Sequence, residues 1–272
     1  MSLRFVCLTS ALALTAGQAV AETNFNRIAS FPVVKNMAEG ADTNRETSPE
    51  IIAATADGMT LVYTDSPLGV IGMVDITDPA NPAPLGAMEV GGEPTSVGIV
   101  GATAFVGVNT SESYTAPTGK LISVDIAGKA ESGACDLGGQ PDSVAIAPDG
   151  SFVAVAIENE RDEDLNGGII PQLPAGSLAL VPLKDGALDC TGMKMASLTG
   201  LAEVAPTDPE PEFVDINALG ETVVTLQENN HIAVVDKDGN VVSHFSAGAV
   251  DLEDIDAPDA RGALIFTESQ PG

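Results

Sequence analysis

The densest run of side chains able to do chemistry is Asp162-Glu163-Asp164-Leu165-Asn166-Gly167-Gly168-Ile169. It fits the first six positions of a DxDxNG calcium loop, in which alternate oxygens wrap the ion and the glycine makes the sharp turn. The twelfth position is Leu173, where such loops place a bidentate Glu, so further oxygens must come from Glu158, Glu160 or water. Asp162, Asp164, Asn166, Glu158 and Glu160 are therefore the candidate metal ligands, and calcium is the expected ion. A solvated acidic loop without an ion is the competing reading. Calcium held here would neutralise phosphate oxygens and orient a water, which makes a phosphorylated small molecule the candidate partner. Arg161 offers a planar fork that matches two phosphate oxygens, although an Arg set among carboxylates is also an ordinary ion-pair partner.

A second acidic cluster interleaves Asp208, Glu210 and Glu212 with Pro209 and Pro211. In an extended segment alternate residues share a side, so Glu210 and Glu212 are candidates for a general base or for metal ligation. The recurrence of Glu50, Glu93 and Asp142 beside the corresponding prolines of other units favours a structural or rim role for this position. The only two histidines, His231 and His244, both fall within apolar strand patterns, which reads as strand-face placement. HExxH, GxSxG, GxxxxGK[ST] and GxGxxG patterns do not occur in the sequence, which removes the zinc protease, serine hydrolase, P-loop and dinucleotide classes that those motifs mark.

The elements that must position these groups recur along the chain. Pro49, Pro94, Pro141 and Pro211 open four units at spacings of 45, 47 and 70 residues. Each unit runs through short apolar stretches separated by turn residues, as in Pro49 to Gly58, Leu61 to Thr64 and Ile71 to Ile76, which is the pattern of successive hairpins. Three strong strands with a weaker fourth, such as Pro84 to Val90, at a period near 45 describe one blade of a β-propeller. A single sheet cannot bury both faces, whereas radial stacking lets each blade cover its neighbour. A sandwich explains a spaced repeat less well. The third unit is longer because of an acidic insertion at about 158–176. Ala260 to Ser269 repeats the pattern of Ala56 to Asp65 with one residue deleted, so a fifth unit is expected to begin there and the full gene product to continue past Gly272. A small closed ring of four or five blades, completed by an N-terminal strand, is the alternative.

The chain has 272 residues, with 11 Lys and Arg against 39 Asp and Glu, a net charge of -28. Such a surface lacks the cations needed to displace counterions from nucleic acid or to hold an anionic membrane. Arg4, the apolar run Phe5 to Ala16 and Ala19-Val20-Ala21 form a secretory leader, so residues 1–21 are expected to be removed and 22–272 to form the propeller. The apolar run is too short to span a bilayer, which takes roughly 20 residues. Export to the periplasm or beyond leaves Cys135 and Cys190 as either a disulfide pair or two buried thiols.

Gly139 to Gly150, Glu210 to Val214 and Thr225 to Asp236 resemble the propeller repeats of the bacterial choice-of-anchor I family. Ile157 to Asp164 together with Ile170 to Gly176 is similar to secreted proteins described as phytase-like or as having esterase-like activity of phytase. The resemblance covers most of residues 45–272. It implies an all-β fold of four-stranded blades, of which this chain supplies about five in a seven-bladed ring, and an exported protein. In some relatives it also implies calcium-assisted hydrolysis of phosphoesters, a metal-dependent phosphoric monoester hydrolase activity. A non-catalytic binding or cell-surface propeller is the alternative, because this fold hosts unrelated functions.

Overall fold

Continuous apolar runs such as Phe152–Ile157, buried at every position, and Thr103–Asn109, buried at all but its ends, mark strands covered on both faces. The computed structural model describes residues 26–162, 164–255 and 268–270. The expected leader and most of the expected start of a fifth unit, residues 260–267, lie outside the described residues. Four antiparallel sheets follow one another. The first contains β1 (Pro49–Ala54), β2 (Thr60–Asp65), β3 (Val70–Asp75) and β4 (Ala83–Glu89). The second contains β5 (Glu93–Val100), β6 (Thr103–Asn109), β7 (Gly119–Asp125) and β8 (Ala130–Asp136). The third contains β9 (Pro141–Ile146), β10 (Phe152–Ile157) and β11 (Ser177–Lys184), with an outer strand broken into β12 (Ala187–Leu188) and β13 (Lys194–Ser197). The fourth contains β14 (Pro211–Ile216), β15 (Thr222–Leu226), β16 (His231–Val235) and β17 (Val241–Ser246). A short pair, β18 (Leu252–Ile255) and β19 (Glu268–Gln270), comes next.

Each sheet pairs its strands in sequence order, and the first strands of successive sheets lie side by side: β1 with β5, β5 with β9, and β9 with β14. This is the radial arrangement of propeller blades. Three apolar clusters fill the spaces between them. Val62, Ile71 and Met73 of the first blade meet Val97, Ala104 and Val106 of the second. Phe105 and Leu121, on the opposite face of that second blade, meet Val144, Val153 and Val155 of the third. Ala154, Ala156 and Leu178 then meet Val214, Val224 and Ala233 of the fourth. In β6 the neighbours Phe105 and Val106 are both fully buried yet face different blades, as the two-residue period of a strand requires. Such blades are inseparable from their neighbours, because isolating one would expose an apolar face worth roughly 25 cal/mol per Å².

The blades also join through polar contacts near the axis. A register shift follows the opening proline of each first strand, at Pro49, Pro94, Pro141 and Pro211. The bulge withdraws a backbone amide from its own ladder, and in two cases the preceding blade receives it. Val144 N–H donates to Ser96 Oγ at 3.0 Å, and Val214 N–H donates to Ser143 Oγ at 3.3 Å. At Gly98 an added Cβ would come within 2.7 Å of Ile146 Cγ1, so only glycine permits this approach of β5 to β9.

The side of the first blade that faces away from the second is covered by the leading segment. A 3-10 turn, Val33–Asn36, presents the buried Asn36. Its amide donates to Tyr63 Oη and to the Met73 carbonyl, while its oxygen accepts the Gly86 N–H. The Tyr63 ring lies over Gly72, where an added Cβ would fall 2.1 Å from it. Cys135 on β8 and Cys190 beyond β12 are disulfide-bonded, with Cα atoms 5.3 Å apart, so the second and third blades are covalently stapled at their outer strands.

Candidate functional site

The bulge after each opening proline governs the chemistry of one end of the axis. It leaves the next residue out of the regular ladder, and that residue is Glu50 in the first blade, Thr95 in the second, Asp142 in the third and Glu212 in the fourth. Repeat geometry therefore brings acids of three blades to a common mouth, where Glu50 and Glu212 act electrostatically on Asp142.

A second repeated device fixes this end of the blades. The amide preceding the opening proline is received by a side chain from the end of the second strand. Ser48 N–H donates to Asp65 Oδ1, Gln140 N–H to Asn159 Oδ1, and Glu210 N–H to Asn229 Oδ1. Asn159 and Asn229 spend their NH2 groups on the carbonyls of Pro174 and of Asp208. Asp65 has no such donor, and its buried Oδ2 has no hydrogen-bond partner. Sequence reasoning missed these clamps. Their signal is an Asn or Asp at or shortly after the end of the second strand in the first, third and fourth blades, visible only once the registers are known.

Asn159 stands with φ of 52°, and the sharp turn it makes carries Glu158 and Glu160 on either side of it toward the mouth. Burial, then the nearby carboxylates of Asp142, Glu160, Glu212 and Glu210, push the Glu158 carboxyl up to about 8. Burial, then Glu212, Glu160 and Glu50, push Asp142 up to about 6. Glu212 is raised by burial and by Glu228 and Glu160, and Glu210 by burial against the opposing pull of Arg161. These are the signs expected when several acids share a half-dry space with too little positive charge.

Of these acids, Arg161 relieves only Glu210 directly. Its Nε bonds the Glu210 carboxylate and lies 3.4 Å from Asp208 Oδ2. Both acids are buried, at 4% and 3% exposure, so the guanidinium is committed to a pair whose disruption would strand buried charge. Asp208 also accepts the Gln172 N–H, and Gln172 bonds both the N–H and the carbonyl of Asp162. This network ties the blade-three insertion to the loop that enters the fourth blade.

The remaining sequence candidates lie apart from the mouth carboxylates. Asp162 Oδ1 accepts the N–H groups of Asp164 and Leu165 at 3.0 and 3.1 Å. The turn is thus closed by its own hydrogen bonds. Asp164 is exposed, and Asn166 lies on the wall of an open cleft of about 570 Å³ together with Tyr114, Ile169 and Leu173. Glu163 lies outside the described residues. The structure therefore gathers Glu158, Glu160, Glu210 and Glu212 at one mouth and places Asp162, Asp164 and Asn166 in the loop beside it.

The mouth offers anionic oxygen donors, the chemistry that suits a hard cation such as Ca²⁺, which accepts six to eight oxygens in flexible geometry. Among the described residues, no group of three or more His, Cys, Asp or Glu is gathered closely enough to hold an ion as it stands. Binding would thus have to draw the carboxylates inward. No helix among the described residues is long and apolar enough to cross a membrane.

Comparison with known proteins agrees with the architecture. The family model described as the choice-of-anchor I domain matches residues 50–270. No curated protein sequence matches this one. Among solved structures, a nidogen/laminin complex aligns at 15% identity and a TM-score of 0.50, covering 73% of this chain and 64% of the other. A catalytically inactive virginiamycin B lyase of Staphylococcus aureus, crystallised with quinupristin, aligns at 14% and 0.52, covering 76% and 60%. A candidate 6-phosphogluconolactonase of Bacteroides uniformis aligns at 16% and 0.53, covering 78% and 59%. The chain thus spans less than two thirds of the length of each of these proteins. At such identities the likeness is one of fold.

Proposed function

We propose, for a chain that belongs to the choice-of-anchor I domain family, that it is an exported, surface-associated β-propeller module whose acidic axial mouth binds a hard divalent cation, calcium first. The observation that carries this reading is the set of uncompensated carboxylates on successive blades. Glu158 and Asp142 are pushed up to about 8 and about 6 while the adjacent Arg161 is tied to Asp208 and Glu210. A divalent ion would supply the missing charge, and Glu158, Asp142, Glu160 and Glu212 are the residues that would hold it. Export is supported by the leader-like residues 1–21 and by the disulfide, which persists in oxidising compartments.

The test is calorimetric titration of the metal-free protein with CaCl2, alongside Glu158→Gln and Asp142→Asn. Saturable binding in the wild type, weakened at least tenfold in each variant, is expected. No binding at millimolar calcium would overturn the proposal.

A second reading is calcium-assisted phosphoester hydrolysis. It is favoured by Glu158, whose carboxyl is pushed up to about 8 in the metal-free protein and which, if Asp142, Glu160 and Glu212 alone held the ion, would suit the role of general acid toward a leaving oxygen. Bound calcium would supply the positive charge for the phosphate oxygens. With Arg161 already paired, that duty falls wholly on the cation. Turnover of p-nitrophenyl phosphate or phytate that disappears with chelator and in Glu158→Gln is expected. Failure to hydrolyse either substrate in saturating calcium would remove this reading and leave the binding module.

A further inference from the structure

The chain's only two histidines meet. His231 opens β16 and His244 lies on β17, the outer strand of the fourth blade. In the register between these strands His231 opposes Ser246 and His244 opposes Ala233, so the two rings are diagonal neighbours on one face of the sheet. His231 Nε2 and His244 Nδ1 are 3.0 Å apart, with ring centroids separated by 5.2 Å and planes tilted by 38°. His231 is 6% exposed, whereas His244 is open to solvent.

We propose that this pair is a binding site for a tetragonal borderline cation of the Cu²⁺ or Ni²⁺ class, separate from the acidic mouth. Neutral imidazole nitrogens are the donors such ions take. The two nitrogens are 3.0 Å apart as hydrogen-bond partners, so a small rotation brings both lone pairs to one ion, and Cu²⁺ heads the affinity order of divalent ions for nitrogen donors.

Chelation asks little of the protein. One ring now donates an N–H to the other and must shift that proton to its other nitrogen, a tautomer change that releases no net proton. The exposed His244 must turn so that its lone pair leaves the line toward His231 and faces the ion. The buried His231 is held at the start of its strand and acts as the fixed ligand. Water fills the open positions. Glu203, in the loop between β13 and β14, acts electrostatically on His231 and provides an anion on the approach.

The experiment is titration of the metal-free protein with CuCl2 in a non-chelating buffer, followed by calorimetry and electron paramagnetic resonance. One equivalent of Cu²⁺ should bind, with nitrogen hyperfine coupling from two imidazoles. His244→Ala, a change at an exposed position, should weaken binding at least tenfold, and His231→Gln should do the same. The tests are independent of the acidic mouth: Glu158→Gln should bind Cu²⁺ as the wild type does, and millimolar CaCl2 should not displace it. Unchanged affinity in a folded His244→Ala variant, coupling from fewer than two imidazoles, or displacement of Cu²⁺ by calcium would overturn the proposal.

Discussion

Replacing Glu158 by Gln should make the metal-free protein more stable in alkaline solution and leave it nearly unchanged in acid. The Glu158 carboxyl titrates near 8 in the fold against 4.5 for a free side chain, so the folded state binds its proton more tightly than the unfolded chain does. Its contribution is fully present below pH 4.5 and is lost as the pH rises through 8. Each pH unit between these values is worth about 1.4 kcal/mol, which sets an upper bound near 5 kcal/mol. Glu158 is only half-buried, and solvent screening reduces this to about 2 kcal/mol. Glutamine keeps the shape and cannot ionise. Urea denaturation in chelator at pH 5 and pH 8.5 reads the difference directly: the wild type should lose about 2 kcal/mol relative to Glu158→Gln between the two conditions. Millimolar calcium at pH 8.5 should then restore the wild type more than the variant, since binding to the native state adds its free energy to stability. Parallel stability curves for the two proteins from pH 5 to 8.5 would refute the idea that Glu158 carries a strained charge, and with it the electrostatic case for a cation at the mouth.

Asp65→Asn should stabilise the protein by about 1–2 kcal/mol, because it replaces a buried carboxylate oxygen that finds no donor with a neutral carboxamide, the group that Asn159 and Asn229 use to receive the corresponding amides; an unchanged denaturation midpoint would refute the idea that this oxygen carries a cost. Removing the disulfide with Cys135→Ala and Cys190→Ser frees a loop with a sequence separation of 55 residues, which by chain entropy costs about 4 kcal/mol. Scanning calorimetry should record a melting temperature about 10 °C lower, and a shift below about 2 °C would mean that the blade interface alone fixes the two strands.

The blades were legible because their determinants are local. Pro49, Pro141 and Pro211 each open a first strand, and Pro94 lies one residue inside β5, since proline tolerates a strand's beginning and a bulge but not its interior. The weaker fourth strand expected at Pro84 to Val90 is β4, Ala83–Glu89. The site was less legible because it depends on register. Asp142 and Glu212 looked architectural, and architecture is what delivers them to the mouth, but the bulge that turns them inward is a property of pairing between strands. Glu158 was singled out for a loop ligand set, whereas the fold turns it toward Asp142. The His231 and His244 meeting needs the β16–β17 alignment, and a separation of 13 positions in the sequence does not announce it. Asn36 reaches Tyr63 and Met73 across 27 and 37 residues, a contact with no periodic signal at all.

The bond between Cys135 and Cys190 also has a mechanical meaning should the chain ends ever be pulled apart. Tension applied at the chain ends can peel the first and fourth blades, but it cannot lengthen the stretch between the two sulfurs. That sequence separation of 55 represents roughly 190 Å of contour at full extension, and all of it stays hidden from the load until a reductant opens the link. A stretched molecule would therefore keep the load off β9 to β12, the bulk of the third blade, which could template the return of the others when the pull relaxes.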